Sequence, residues 1–459
     1  MTPATPTRRA ASDKPAANER QLTDRPYHHD LDNNDNFSPD DRFLVYDTRS
    51  EPGGIGGNGR IEKVELSTGQ TTVLYETSGQ TLHGPGVGAA SYHPSENRVV
   101  FIHGVRNCDA TRPYEQWRRT GVAIDESAPG VAIFIDARDV TAPFTPGALR
   151  GGTHCHEFSG DGQWIGFTYN DALLADIEAK TGEIVNLRTI GVSTKLGDGV
   201  TVDHDAEGEN NDGLWFSALV VKVVPHPRPG SDEVSRAFSD SWLGRDGYRR
   251  ADGGRQRARA FLGTTRDADG NELVEVFVVD VPRRIDRAGD DGPLAGTPTT
   301  MPGVVAGAQQ RRLTHSADRR YPGVATEPRH WVRSSPEGDR IAYLARDDQG
   351  VVQVYFISPL GGESTQVTRH TSDVQCGPRF NTAGTHICYV CDNTLQLCDV
   401  RRGERFGHVT PLTRRTDAPP TRPVWSHDER TIAVNRDVDG PQGRHLQIFL
   451  CELADGTLR

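Results

Sequence analysis

The sequence predicts an all-β fold, a seven-bladed β-propeller of four-stranded antiparallel blades whose ring is closed by an N-terminal strand joining the last blade. Three observations carry this prediction. A turn-and-strand pattern recurs along the chain, the composition suits short strands and many tight turns, and a tripeptide near the N-terminus matches the piece that the final repeat lacks. The 459 residues exceed the usual length of one compact core, so a repeat architecture or several domains is expected. With 49 Gly, 29 Pro and only 2 Met, the composition favours the repeat.

Six segments share an aromatic or apolar residue, a polar turn of about five residues and an alternating strand. They are NFSPDDRFLVYDTR from Asn36, SYHPSENRVVFIHG from Ser91, EFSGDGQWIGFTYN from Glu157, RSSPEGDRIAYLAR from Arg333, RFNTAGTHICYVCD from Arg379 and VWSHDERTIAVNRD from Val424. The last two intervals are 46 and 45 residues, the length of one four-stranded blade. A second alternating segment follows, as in RIEKVELSTG from Arg60, LLADIEAKTG from Leu173, VVQVYFISPLGG from Val351 and LQIFLCELADG from Leu446. QTTVLYE, ESTQVTR and HVTPLTR read as short closing strands.

A seventh unit fits between residues 201 and 314, with LWFSALVVKV as inner strand, RARAFLGTT as second, ELVEVFVVDV as third and QQRRLT as last. Residues 225–256 and 283–308 are read as long loops inserted in it, and 105–130 as a further insertion over one end of the ring. In that third insertion Tyr114, Trp117, Arg118 and Arg119 either stack on a sugar or shield apolar blade ends. The final blade lacks an outer strand, and Gln21-Leu22-Thr23 matches the closing strands elsewhere, so the two ends of the chain are expected to pair and remove an exposed edge. Residues 1–19, rich in Ala, Pro, Thr and charge, read as a disordered tail, and 20–459 as the propeller.

The formal net charge of −11 offers no basic surface for nucleic acid. No run of 18 apolar residues appears, so no membrane partner is expected and a soluble, cytoplasmic protein is. Seven cysteines without a secretory signal argue for reduced thiols. Cys388 and Cys391 fall on opposite faces of a strand, which favours buried thiols over a zinc knuckle. GGIGGNG lacks the strand–loop–helix context of a phosphate loop and reads as a flexible loop. No G-x-S-x-G nucleophile motif is present.

Candidate chemistry concentrates at one end of the channel, where loops leading into the inner strands hold most of the 16 histidines. Aligning the repeats places Asn33, Gly88, His154, His330, Cys376 and Thr421 at one level. His154 and His156, two apart in GGTHCHEF, project to one side of a regular strand and so form a pair suited to a divalent metal, with His330 or His83 as third ligand and Gln375 as an oxygen donor. The alternative is imidazoles hydrogen-bonding across a wet channel. His83 and His330 are also candidate general bases. Arg329, Arg333, Arg379 and Arg422 approach the same level and either bind a carboxylate or phosphate or form ion pairs between blades.

The SPDG-like turns resemble the Tol-type propeller repeat of TolB and of serine-peptidase propellers. LRGGTHCHEFSGDGQWIGFTYND, PHPRPGSDEVSRAF, PRHWVRSSPEGDRIAYLARDD and GVVQVYFISPLGGE resemble the YidR-like family, a domain-of-unknown-function group, across nearly the whole chain after residue 20. The arrangement is also distantly similar to oligogalacturonate lyase, a seven-bladed propeller holding manganese with three His and one Gln. That resemblance implies a metal-dependent lyase performing β-elimination on a small acidic or oxidised saccharide, with manganese or a similar divalent ion held by His154, His156, His330 and Gln375, and with His83, His330, Arg329 and Arg379 as catalytic residues. The TolB resemblance implies instead a noncatalytic propeller that binds a protein or carbohydrate partner.

Overall fold

The computed structural model describes residues 16–32, 35–50 and 54–459. Among these, seven small antiparallel sheets succeed one another along the chain as blades of a propeller. Six have four strands. The first has three, Phe43–Asp47, Arg60–Glu65 and Thr71–Glu76, with its inner position supplied by single bridges from Asp30 to Asp47 and from Phe37 to Leu44. Ala17–Gln21 pairs antiparallel with Gly443–Leu453 and supplies the outer strand of the seventh blade, closing the ring as expected. That strand starts within the stretch read as a tail, and the rest of the predicted tail, residues 1–15, lies outside the described residues.

The repeated turn has one physical basis. Ser38 donates its hydroxyl to Asp40 at 2.6 Å and accepts the Phe43 amide at 3.0 Å. Ser159 with Asp161 and Trp164, Ser335 with Asp339 and Arg340, and Ser426 with Asp428 and Thr431 repeat the arrangement. A Ser followed by an Asp thus satisfies the turn amides locally and starts the next strand in a fixed register. Both faces of each blade then pack on neighbours, which is why a strand such as Arg98–Gly104 is buried along nearly all its length. The core is a set of apolar layers between adjacent blades. Cys388 faces the seventh blade, in a layer with Trp425 and Ile432, while Cys391 faces the fifth, with Val354 and Ile387, so the two thiols do take opposite faces.

Three local expectations are corrected. The segment from Leu173 is a helix, Ala172–Thr181, and not a strand. Asp171 caps it by accepting the Leu173 and Leu174 amides, Gly182 ends it at φ 75°, and Ala, Leu, Glu and Lys between them favour helix over strand. The third strand of that blade is therefore Thr189–Thr194, and Phe216–Leu219, within the run LWFSALVVKV, becomes its outer strand. The inner strand of the fourth blade is instead Arg236–Trp242, inside the region read as an inserted loop, which also holds the hairpin Tyr248–Arg249 with Arg255–Gln256. Likewise, the 105–130 insertion contains a blade strand, Arg119–Asp125, and is loop only on either side of it.

The inner strands share one irregularity. Their ladders slip between Gly88 and Ser91, His154 and Glu157, Phe238 and Ser241, Cys376 and Arg379, and Thr421 and Val424. Ala89, Cys155, Ser239 and Arg422 stand within these bulges in the left-handed region, with φ between 51° and 57°. A bulge re-aims side chains and ends the period-two alternation, and it does so where the inner strands meet the channel mouth.

Candidate functional site

The mouth is organised by the segment that follows the closing strand. Asn435, buried in the seventh blade, accepts the Leu31 amide at 2.9 Å and donates to the His29 carbonyl at 2.7 Å. Asp30 and Asp47 exchange both backbone hydrogen bonds across to the first blade. Leu31 is driven into the core between the first and seventh blades, so alternation turns Asp30 and Asp32 the other way, toward the channel. Nearby, His28 Nδ1 accepts the Leu446 amide at 3.1 Å, which leaves the proton of the neutral ring on Nε2. Burial and the neighbouring His445 hold this imidazole below its ordinary value.

A cavity of about 470 Å³ opens here, between that segment and the fifth, sixth and seventh blades. Five guanidinium groups line it, Arg49, Arg329, Arg333, Arg379 and Arg422, against the carboxylates of Asp30, Asp32 and Asp437. Arg49 Nε lies 2.8 Å from Asp47 and 3.5 Å from Asp30, and its Nη1 lies 3.4 Å from Asp32. Arg422 Nε is 3.2 Å from Asp30. Arg329 stacks on the Trp331 ring at 4.5 Å and reaches to 3.8 Å from Asp32.

These distances set two carboxyls apart. Burial drives Asp30 up to about 7 against the pull of Arg49 and Arg422. Burial also opposes ionisation of Asp32, but Arg49, Arg329, Arg422 and Arg379 outweigh it and hold the group below the usual carboxylate range. Arg333 is brought down to about 9 by burial and then by Arg379 beside it. A half-enclosed cavity with more guanidinium than carboxylate groups, one carboxyl near neutrality and an indole wall is suited to a small anionic ligand that also exchanges a proton. Arg333 and Arg379 also line a second cavity of about 460 Å³ at the turn end of the inner strands, so they stand at the waist of the channel.

Of the residues expected to act, Arg329, Arg379, His330 and Gln375 line the mouth, while His83, His154 and His156 do not. His330 has both ring nitrogens occupied. Its Nε2 accepts the Leu344 amide at 3.3 Å and its Nδ1 donates to the Pro328 carbonyl at 3.1 Å, while burial lowers the ring to about 4. Gln375 is occupied at both ends by Asn393, at 2.8 and 2.7 Å. His83 is exposed on the loop beyond the first blade, its carbonyl accepting the Tyr114 amide.

The bulge at Cys155 breaks the alternation on which the His154 and His156 pair depended. His154 Nδ1 accepts from Arg119 at 2.7 Å, and His156 lies between Thr153 at 2.9 Å and Asp136 at 3.7 Å. The four expected metal ligands therefore do not converge, and among the described residues no three His, Cys, Asp or Glu side chains form a group that could hold a metal ion. The donor set does not fit manganese. Asn33, aligned at the same level, lies outside the described residues.

Asp30, Asp32 and Arg49 were missed. Their signal was the Asp-Leu-Asp alternation of residues 30–32, just ahead of the first repeat.

Comparison with known proteins places this chain in a family. Residues 86–209 match the family described as "Protein of unknown function (DUF3748)". The "Uncharacterized protein YidR" of Escherichia coli (strain K12) is 39% identical over 390 residues, 84% of this chain and 87% of that protein. Among solved structures, an oligogalacturonate lyase in complex with manganese superposes with TM-score 0.53 at 13% identity, covering 97% of this chain and 96% of the other, a likeness of fold. A putative TolB from Agrobacterium tumefaciens covers 83% of this chain and 94% of its own, at 14% identity and TM-score 0.37. On its identity to YidR over most of both sequences, the chain belongs to the YidR family.

Proposed function

We propose that this chain is a lyase that binds a small acidic saccharide by its carboxylate in the arginine-lined mouth and eliminates across the sugar. The carrying observation is the cavity in which Arg329, Arg379 and Arg422 stand with Asp30, a carboxyl brought to about 7. Guanidinium groups paired with the substrate carboxylate stabilise the charge that builds on it when the neighbouring carbon loses its proton. Ionised Asp30 takes that proton, the carbon–oxygen bond at the next carbon breaks, and the departing oxygen takes a proton from water. The products are an unsaturated sugar acid and a free hydroxyl. His28, with its proton on Nε2, donates a hydrogen bond to the bound sugar. Because the expected metal ligands face other partners, the residues of the mouth carry these steps. The propeller shared with oligogalacturonate lyase supports the reading at the level of fold.

The test is direct. Purified protein is mixed with digalacturonate and the ultraviolet absorbance of the conjugated double bond is followed. Arg379→Ala is expected to lower turnover by about a hundredfold, the usual cost of one group stabilising developing charge. Asp30→Asn is expected to abolish turnover while binding persists. No absorbance change together with no uronate binding by calorimetry would overturn the reading.

A further inference from the structure

Most buried arginines of this protein have a carboxylate partner. Arg49 has Asp47 at 2.8 Å, Arg150 has Asp171 at 2.7 Å, Arg259 has Asp240 at 2.5 Å and Arg436 has Glu19 at 2.6 Å. Arg119, which opens a strand of the second blade, and Arg188, which precedes a strand of the third, are partly buried and differ. Among the described residues neither forms an ion pair with a carboxylate.

Arg119 gives Nη1 to the His154 ring at 2.7 Å and lies over the Tyr114 ring at 4.9 Å, and its buried Nε has no hydrogen-bond partner among the described residues. Arg188 gives Nε to Asn170 Oδ1 at 2.9 Å and Nη2 to Gln116 Oε1 at 2.5 Å. All these partners are neutral. They fix the direction of each guanidinium, and no carboxylate among the described residues pairs with it, although even a partly buried charge is costly unless paired. The charges also feel one another. Burial, then Arg236, Arg119 and Arg329, bring Arg188 down to about 10. Burial lowers Arg119 as well, with Arg49 adding to the fall, and Glu115 opposes it without forming an ion pair. Arg49 and Arg329 line the cavity already described, and the charge of the first acts on Arg119 and that of the second on Arg188.

We infer that Arg119 and Arg188 form a second anion subsite across the mouth, so that the ligand carries two anionic groups, one held there and one among Arg329, Arg379 and Arg422. His154 then acts as a positioning residue, because its Nδ1 aims the Arg119 fork. This inference rests on reading the mouth as a carboxylate site.

Calorimetry at fixed ionic strength tests it with galacturonate, which has one carboxylate, and digalacturonate, which has two. Wild-type protein is expected to bind the diacid at least about tenfold more tightly, the worth of one good charge-assisted contact. Arg188→Gln should remove that gain and leave galacturonate affinity within about twofold, whereas Arg188→Lys, which keeps the charge, should restore part of it. Arg119→Gln provides a second route to the same loss should the first variant fail to fold by circular dichroism. Equal binding of the two probes by wild type, or a gain that survives both glutamine variants, overturns the subsite. Binding of galacturonate alone without any gain leaves the carboxylate mouth standing and the subsite refuted. Binding of the diacid alone, lost in Arg188→Gln, supports the subsite and refutes the single-carboxylate mouth.

Discussion

Arg422 Nε stands 3.2 Å from Asp30 Oδ1, joining the inner strand of the seventh blade to the segment that enters the first. The contact crosses the seam where the ring closes, so site chemistry and ring closure depend on the same few residues.

Replacing Arg422 with Gln removes one of the two guanidinium groups that hold Asp30 down. The carboxyl should then titrate above its present value of about 7, and the pH midpoint of turnover should move to higher pH. Uronate affinity should fall about tenfold. A pH–rate profile with a parallel binding titration checks both, and an unmoved midpoint would remove Asp30 from the role of base.

Stability should fall on acidification. Burial lowers His29, His103 and His330 each to about 4, so the unfolded chain binds their protons first. Their contribution is complete above about 6.5 and is lost as pH falls toward 4. Asp30 runs the other way, because the folded state keeps its proton up to about 7 and its contribution is lost as pH rises through that value. Three groups outweigh one, so the urea midpoint should be lower at pH 5 than at pH 7, and Asp30→Asn should steepen the difference. A higher midpoint at pH 5 would contradict the burial of the three imidazoles.

Asn435→Ala should cost about 2–3 kcal/mol, since the Leu31 amide and the His29 carbonyl lose a buried partner. The same change loosens Asp30, so turnover should fall more than uronate affinity. Asn435→Asp, which retains the acceptor for Leu31, should recover part of the turnover. Equal losses in the two measurements would mark Asn435 as structural only.

Asp171→Ala should exceed the ordinary loss of a helix cap, which is about 1 kcal/mol. One carboxylate oxygen caps the Leu173 and Leu174 amides while the other holds fully buried Arg150 at 2.7 Å and accepts from Tyr169 at 2.9 Å. Leaving that guanidinium unpaired should bring the cost to about 3–5 kcal/mol. Denaturant titration measures it, and a value near 1 kcal/mol would mean that Arg150 finds other partners.

The repeat was legible because its turn is local. Ser38 and Asp40, or Ser426 and Asp428, satisfy neighbouring amides without help from distant residues, so the pattern survives in the sequence. The helix after Asp171 was legible in principle from its cap and Gly182, but a repeat-based reading assigned a strand to its place. The mouth was only half legible. Arg333 and Arg379 align by repeat, whereas the direction of His154 and His156 depends on a bulge at Cys155 that period-two counting does not foresee. Asp30 and Arg422 meet through contacts between opposite ends of the chain, and no window of sequence contains both.

Ring closure also sets a timetable for synthesis. Arg20 and Glu452, which meet at 3.0 Å across the closing seam, are 432 residues apart, so Ala17–Gln21 is the first described strand to leave the ribosome and must wait for the last. ANERQ is mostly polar, a composition that keeps a solitary strand in water instead of on a neighbouring nascent chain. The propeller can therefore accumulate blade by blade, with its latch held in reserve until the seventh blade has been made.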